Sequence, residues 1–242
     1  GTEAGEYPVG IVSGDFKNTS KNFANVEFVI VDGALTITTD DTEVVVTVTG
    51  NTKTVVYDGT EHSVEGYTVD VNGLPITVTP KAGTEAKASG TNAGTYYMGL
   101  TADDFTAESN NYSNIRIVVT DGWLKIDPVE TEVVVKIAGN TKTETYNGKE
   151  HSVEGYTVTS ISNPLYTAND FSFSGTAEAK GKNAGTYKMG LKAADFANTS
   201  NNFKNVEFVV ADGQLEITKR PVMLTSADLI KVYDGTPLKN GD

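Results

Sequence analysis

The chain has 242 residues, no cysteine, and 32 acidic against 19 basic side chains, for a formal net charge of -13. It has no disulfide framework and no apolar run of about 18 residues to span a membrane, and its scattered Lys and Arg form no stripe for nucleic-acid phosphates. Abundant Val and Thr with frequent Gly, Asn and Ser indicate an all-β protein whose acidity keeps its surface solvated.

From the N-terminus, a unit recurs with a period of about 90 residues. Residues 1–41 match the back half of a unit, 42–130 and 131–220 are complete units, and 221–242 match the front, as expected for a segment of a longer array. Tyr57-Asp58-Gly59, Tyr146-Asn147-Gly148 and Tyr233-Asp234-Gly235 mark the fronts, and Asp32-Gly33, Asp121-Gly122 and Asp212-Gly213 the backs. The string Glu-His-Ser-Val-Glu-Gly-Tyr-Thr-Val is identical at 61–69 and 150–158.

Within the first complete unit, Val44 to Thr49 and Thr52 to Tyr57 read as strands separated by Gly50-Asn51, followed by a strand within Ser63 to Val71. Asp70 to Gly90, like Thr159 to Gly181, differs between units, so any specificity is expected there; Tyr166 lies in the second of these stretches. Asn92-Ala93-Gly94-Thr95-Tyr96 resembles the tyrosine-corner stretch of immunoglobulin-like sandwiches. Tyr96, Met98 and Leu100 then alternate as a half-buried strand, with Tyr97 on the opposite side. Ala102-Asp103-Asp104-Phe105 reads as a loop whose Phe plugs the end of the module and whose Asp ties down backbone N–H groups.

Ile115 to Thr120, Asp121-Gly122 and Trp123 to Ile126 carry the pattern of a two-residue type I′ hairpin. Ile115, Ile117, Val119, Leu124 and Ile126 share its buried face, and the equivalent positions of both other copies are also apolar. Trp123 then falls on the wet face, where the other copies have Ala34 and Gln214. The predicted architecture is a row of tandem Ig-like β-sandwich modules, with β-grasp-like modules as the alternative. The short junction Asp127 to Glu132 lacks a Gly/Ser spacer and predicts an elongated, stiff rod.

The Tyr-Asp-Gly front, the Asn-Ala-Gly-Thr-Tyr middle and the closing Asp121-Gly122-Trp123-Leu124-Lys125-Ile126-Asp127-Pro128 resemble the MBG/YDG-type repeats of very large bacterial surface proteins. Lys231 to Leu238 is the nearest single motif, although Asn147 replaces the expected Asp. The resemblance implies an extracellular, cell-wall-attached adhesin or stalk module without catalytic residues or cofactors.

The candidate chemistry agrees with a non-enzymatic reading. His62 and His151 occur once per unit beside Glu61 and Glu150, and adjacent strand residues face opposite ways, which disfavours a shared metal. No Gly-x-Ser-x-Gly elbow or Asp-x-Asp-x-Asp-Gly calcium loop occurs. Trp123, Tyr97 and Tyr166 are the candidate contacts, for a neighbouring module or for host glycans or mucin. A spacer is preferred over a direct binder because the preserved columns are core and turn positions. The competing reading is a carbohydrate-binding module of a secreted glycosidase. The incomplete ends at 1–41 and 221–242 predict head-to-tail self-association or docking on the adjacent whole units.

Overall fold

The computed structural model describes residues 1–226 and 228–237, so Leu238 of the terminal motif lies outside the described residues. The chain is all-β, and among the described residues its only helical elements are four three-residue 3-10 turns. It divides into two compact units, Gly1–Val129 and a second beginning at Glu130.

In the first unit, β1 (Gly5–Pro8) and β2 (Ala34–Ile37) form an antiparallel pair. The complete repeat follows with β3 (Val44–Gly50), β4 (Thr52–Val56), β5 (His62–Glu65), β6 (Tyr67–Asp70), β7 (Thr77–Pro80) and β8 (Lys87–Gly90). It ends with β9 (Gly94–Tyr97), β10 (Phe105–Glu108), β11 (Ile115–Thr120) and β12 (Trp123–Asp127). The sheets are β11-β3-β6 and β4-β12-β9, with the two-stranded pieces β5-β8 and β10-β7.

The pairing overturns the expected hairpin. β11 and β12 belong to different sheets: β11 runs parallel to β3 over six register pairs, and β12 runs parallel to β4 over five. The first ribbon, β3–β4, and the last, β11–β12, therefore lie side by side and cross together from one sheet to the other. Such parallel pairs depart from the antiparallel sheets with Greek-key connections of an Ig-like sandwich.

The crossing explains the glycines. Gly122 does not have a positive φ, so it does not build a type I′ turn. A Cβ there would instead lie 2.6 Å from the Asn51 carbonyl oxygen, 2.6 Å from Met98 Sδ and 2.9 Å from the Gly50 carbonyl carbon. Two backbones meet where only hydrogens fit. Asp121 accepts hydrogen bonds from the N–H groups of Gly99 (3.0 Å) and Leu100 (2.9 Å), binding the corner to the end of β9. Asn51 completes it: its backbone N–H donates to the Gly66 carbonyl, its side-chain amide donates to the Glu65 carbonyl, and its own carbonyl accepts from Trp123 N–H.

The second unit builds the same corner. Its strands are β13 (Val133–Gly139), β14 (Thr141–Thr145), β15 (His151–Glu154), β16 (Tyr156–Ile161), β17 (Phe171–Phe173) and β18 (Glu178–Gly181). β19 (Gly185–Lys188), β20 (Phe196–Asn198), β21 (Val206–Ala211) and β22 (Gln214–Thr218) complete it. β13 pairs parallel with β21 and β14 with β22. Asp212 accepts from the N–H groups of Gly190 and Leu191, and Asn140 repeats each bond of Asn51.

The core lies under the two sheets. In the first repeat, Val48, Leu100 and Phe105 gather Ile117 and Val119 under one, while Ala88, Leu124 and Ile126 gather Val55 and Tyr96 under the other. Met98 packs against both clusters. The expected alternation is present: Leu100 is buried, Tyr96 and Met98 are half-buried, and Tyr97 and Gly99 face solvent. The tyrosine-corner contact also forms, because the Tyr96 hydroxyl donates to the Asn92 carbonyl at 2.9 Å, as Tyr187 does to Asn183 at 3.0 Å. Each ring lies over a glycine, Gly90 or Gly181, where a Cβ would overlap it.

The loop before β10 takes the expected form. Asp104 accepts from the N–H and hydroxyl of Thr101 at 2.7 and 2.8 Å, bonds that hold its carboxyl below the usual range, and Phe105 is buried beside it.

The half-repeat 1–41 shows what the parallel partners contribute. β1 and β2 pair as β9 and β12 do, and Asp32 accepts from the N–H groups of Gly10 and Ile11. Residues 26–31, equivalent to β11, form no strand. Leu35 is 55% exposed, whereas its counterparts Leu124 and Leu215 are both at 0%. The same residue in the same motif is buried only where a front ribbon lies beside it.

Candidate functional surface

β12 is the central strand of its sheet, and burial of Leu124 and Ile126 turns Trp123, Lys125 and Asp127 to the other side. Trp123 stands directly opposite Tyr97 on β9 and Thr52 on β4. The next row holds Thr54, Lys125 and Thr95. Trp123 is half-buried and Tyr97 is 67% exposed, so two sequence-predicted contact residues form one cross-strand aromatic pair on an outward face. Sequence placed Trp123 on the correct face by a hairpin that does not exist; alternation along β12 alone determines it. The reading did not anticipate the flanking Thr52 and Thr95, since strand neighbours depend on the parallel partner.

The same place carries different chemistry elsewhere. In the second repeat Gln214 faces Lys188 and Thr141, and the Lys188 ammonium donates to the Gln214 side-chain oxygen at 2.6 Å. In the half-repeat Ala34 faces Pro8. An exposed aromatic row offers π faces to the C–H side of a sugar ring or to another apolar surface, with neighbouring hydroxyls as hydrogen-bonding groups. A Lys–Gln row does not.

Tyr166 requires a correction: it is a core residue, only 2% exposed, and cannot serve as a surface contact. Its ring packs against Phe171 and Phe203, and its hydroxyl donates toward the Asp170 carbonyl and the Asn198 side-chain oxygen. Burial, then the nearby Asp170 charge, pushes its phenol up to about 12. An aromatic residue in a variable stretch looks like a recognition residue, but here it helps fill the end of the second repeat.

The histidines close the Tyr-Asp-Gly turn. Asp58 Oδ1 accepts from the N–H and hydroxyl of Thr60 and lies 3.0 Å from His62 Nε2. Hydrogen bonds from Thr60, with smaller help from His62, hold its carboxyl down at about 2. Asn147 plays the same part for Lys149 N–H and His151 Nε2. Gly59 and Gly148 carry positive φ values of 80° and 78°, which the turn requires. Among the described residues, no group of three or more His, Cys, Asp or Glu side chains is arranged to hold a metal ion.

The variable segment Asp70 to Gly90 reaches an open, polar groove of about 660 Å³ lined by Pro75, Thr77, Glu108, Ser109, Asn110 and Tyr112 among others. No helix among the described residues is long and apolar enough to cross a membrane.

No curated protein matches the chain. The family model described as MBG domain matches residues 133–219, from the first residue of β13 to one residue past β22, consistent with an MBG-type repeat.

Proposed function

We propose that this chain is a non-enzymatic, extracellular repeat region of a bacterial surface adhesin whose complete units act as tension-resisting stalk modules. The MBG-type match supports a surface-repeat role. The observation that carries the mechanical reading is the parallel pairing of the terminal ribbons. The repeat enters at Val44, paired with Ile115, and leaves at Asp127, paired with Val56. Entry and exit lie at opposite ends of the paired ribbons, so tension along the chain loads the ladder in shear. Its inter-strand bonds must yield together, whereas pulling from one end would break them in turn.

The assay is single-molecule stretching. The chain has no cysteine, so handles at Glu43→Cys and Pro128→Cys load the ribbons in shear, while Glu43→Cys and Ser113→Cys pull them apart from one end. The unfolding force is expected to be clearly higher in the first geometry. Equal forces would defeat the proposal.

A second reading, direct glycan or mucin binding, as in a carbohydrate-binding module of a secreted glycosidase, is favoured by the Trp123–Tyr97 row. On this reading the first complete repeat binds and the second, with Lys188 and Gln214, does not. Trp123→Ala should then abolish signal on a glycan array, and an unchanged signal removes the reading.

A further inference from the structure

We infer that Asn147 is a site of spontaneous covalent modification, an Asn-Gly amide that the folded turn converts to aspartate, so that the second repeat acquires with age the Tyr-Asp-Gly turn that the first repeat encodes. The residues concerned lie inside the complete repeats, and the inference is independent of the stalk reading. Among the described residues, Asn stands before Gly at Asn72-Gly73 and Asn147-Gly148, and a glycine, having no Cβ, leaves its nitrogen open to attack on the preceding side chain. The fold holds the two amides differently. Asn147 is held through its oxygen: Oδ1 accepts from the Lys149 N–H at 2.9 Å and lies 3.1 Å from His151 Nε2. An amide oxygen cannot donate, so His151 carries a proton on Nε2. The bond to Lys149 closes a ring that includes both the side-chain carbonyl carbon of Asn147 and the Gly148 nitrogen, and both residues are exposed to water. Asn72 is held through its nitrogen instead, which donates to the Val45 carbonyl at 3.0 Å.

The reaction needs only water. The Gly148 nitrogen gives up its proton to solvent and bonds to Asn147 Cγ, and the negative charge that develops on Oδ1 falls where the Lys149 N–H and the His151 Nε2–H already point. The side-chain nitrogen takes up a proton and leaves as ammonia, which closes a cyclic imide. Water then adds at Cγ and breaks its bond to the Gly148 nitrogen, restoring the main chain with Asp at position 147. One water is consumed, one ammonia is released, and nothing is oxidised or reduced. The product fits the turn, because Asp58 in the first repeat already accepts from the Thr60 N–H at 2.9 Å and lies 3.0 Å from His62 Nε2. Opening the imide at the main-chain carbonyl would instead insert a methylene into the backbone and displace Gly148 from its φ of 78°. At Asn72 the same conversion would set a carboxylate oxygen against the Val45 carbonyl, so the fold opposes it there.

The test is to age the full chain at mildly alkaline pH, folded and in urea, and to map its peptides by mass spectrometry, with an isoaspartyl methyltransferase to separate the two products. In the folded chain Asn147 should convert about tenfold faster than Asn72, less than a donor contributes in an enclosed active site because this turn is open to water, and it should give mainly Asp. In urea the two sites should convert at similar rates, mainly to the isoaspartyl form. Conversion of Asn147 no faster than Asn72 in the folded chain, or slower folded than in urea, would overturn the inference, as would an isoaspartyl majority at position 147. Asn147→Asp installs the product and should keep the wild-type urea midpoint of the second unit at neutral pH, read by circular dichroism. A lower midpoint would show that the turn does not accept the product and would equally overturn it.

Discussion

Replacing Gly122 by Ala separates the corner from the hairpin. The added methyl would lie 2.6 Å from both the Asn51 carbonyl oxygen and Met98 Sδ, roughly 1 Å inside ordinary van der Waals separation. Met98 can swing aside, but the Asn51 carbonyl is fixed by the N–H of Trp123 at 3.2 Å. The two ribbons must therefore part where they cross. Overpacking of this kind costs about 1–3 kcal/mol, and spreading both parallel ladders places Gly122→Ala near about 3 kcal/mol. With a urea dependence of about 1–3 kcal/mol/M, the midpoint should fall by about 1–3 M. Trp123 is the only tryptophan, so its fluorescence reports the first unit alone, and Gly213→Ala in the second unit is the internal control. Gly122→Asn is the decisive variant: Asn tolerates positive φ and would be nearly harmless in a type I′ turn, but it meets the same overlap in the corner. A wild-type midpoint for Gly122→Asn, or a loss below about 0.5 kcal/mol for Gly122→Ala, would refute the reasoning.

Leu124→Ala should cost about 2–5 kcal/mol in the same urea assay, as expected for a fully buried Leu, whereas Leu35→Ala at low protein concentration should change stability by no more than about 0.5 kcal/mol. Asp58 titrates below its ordinary value of 3.8, at about 2, so its stabilising contribution is complete above the ordinary carboxylate range and is lost as pH falls toward 2. Asp58→Asn, which installs the residue found at Asn147, should leave the fold intact at neutral pH and weaken the acid dependence of the first unit, followed by Trp123 fluorescence.

Much of the fold was legible because it is local. The period, the strands, the buried columns of Leu124 and Ile126, the Tyr96 hydroxyl contact and the Asp104 loop all follow from side chains acting within a few residues of themselves. Strand pairing was not legible, and Asp121-Gly122 shows why. Asp-Gly between two alternating strands is a strong short-range hairpin signal, yet the Asp side chain here serves residues 99 and 100, and the Gly is needed for a backbone about 70 positions away. A signal was available in Gly50-Asn51, repeated as Gly139-Asn140, where a second ribbon carries its glycine at the matching point. The candidate surface divided similarly: Trp123 and Tyr97 could be assigned to exposed positions from alternation, but their adjacency required β9 to lie beside β12. Tyr166 was misread because a buried aromatic and an exposed one look alike in a stretch without periodicity.

The parallel ribbons link folding to mechanics through one constraint. Neither ribbon forms alone in this structure: residues 26–31 lie outside any strand where no front ribbon is beside them, and residues 222–226 and 228–233 are exposed where no back ribbon is beside them. Joining the first and last ribbons of a repeat means closing a loop of about 70 residues, which costs entropy before any contact repays it and makes folding slow relative to a chain of local hairpins. On the stalk reading, the same closure is what would resist tension, since the chain enters through β3 and leaves through β12, which belong to the two ribbons that hold each other by the β3–β11 and β4–β12 ladders. A pair of consecutive hairpins would fold faster and would yield strand by strand when pulled. The arrangement also makes the front ribbon interchangeable in principle, because β3 and β13 offer similar apolar edges to β11 and β21. Pairing within a repeat is favoured by proximity along the chain, and the exposed Arg116–Glu43 ion pair, where β3 and β11 begin, adds little to it.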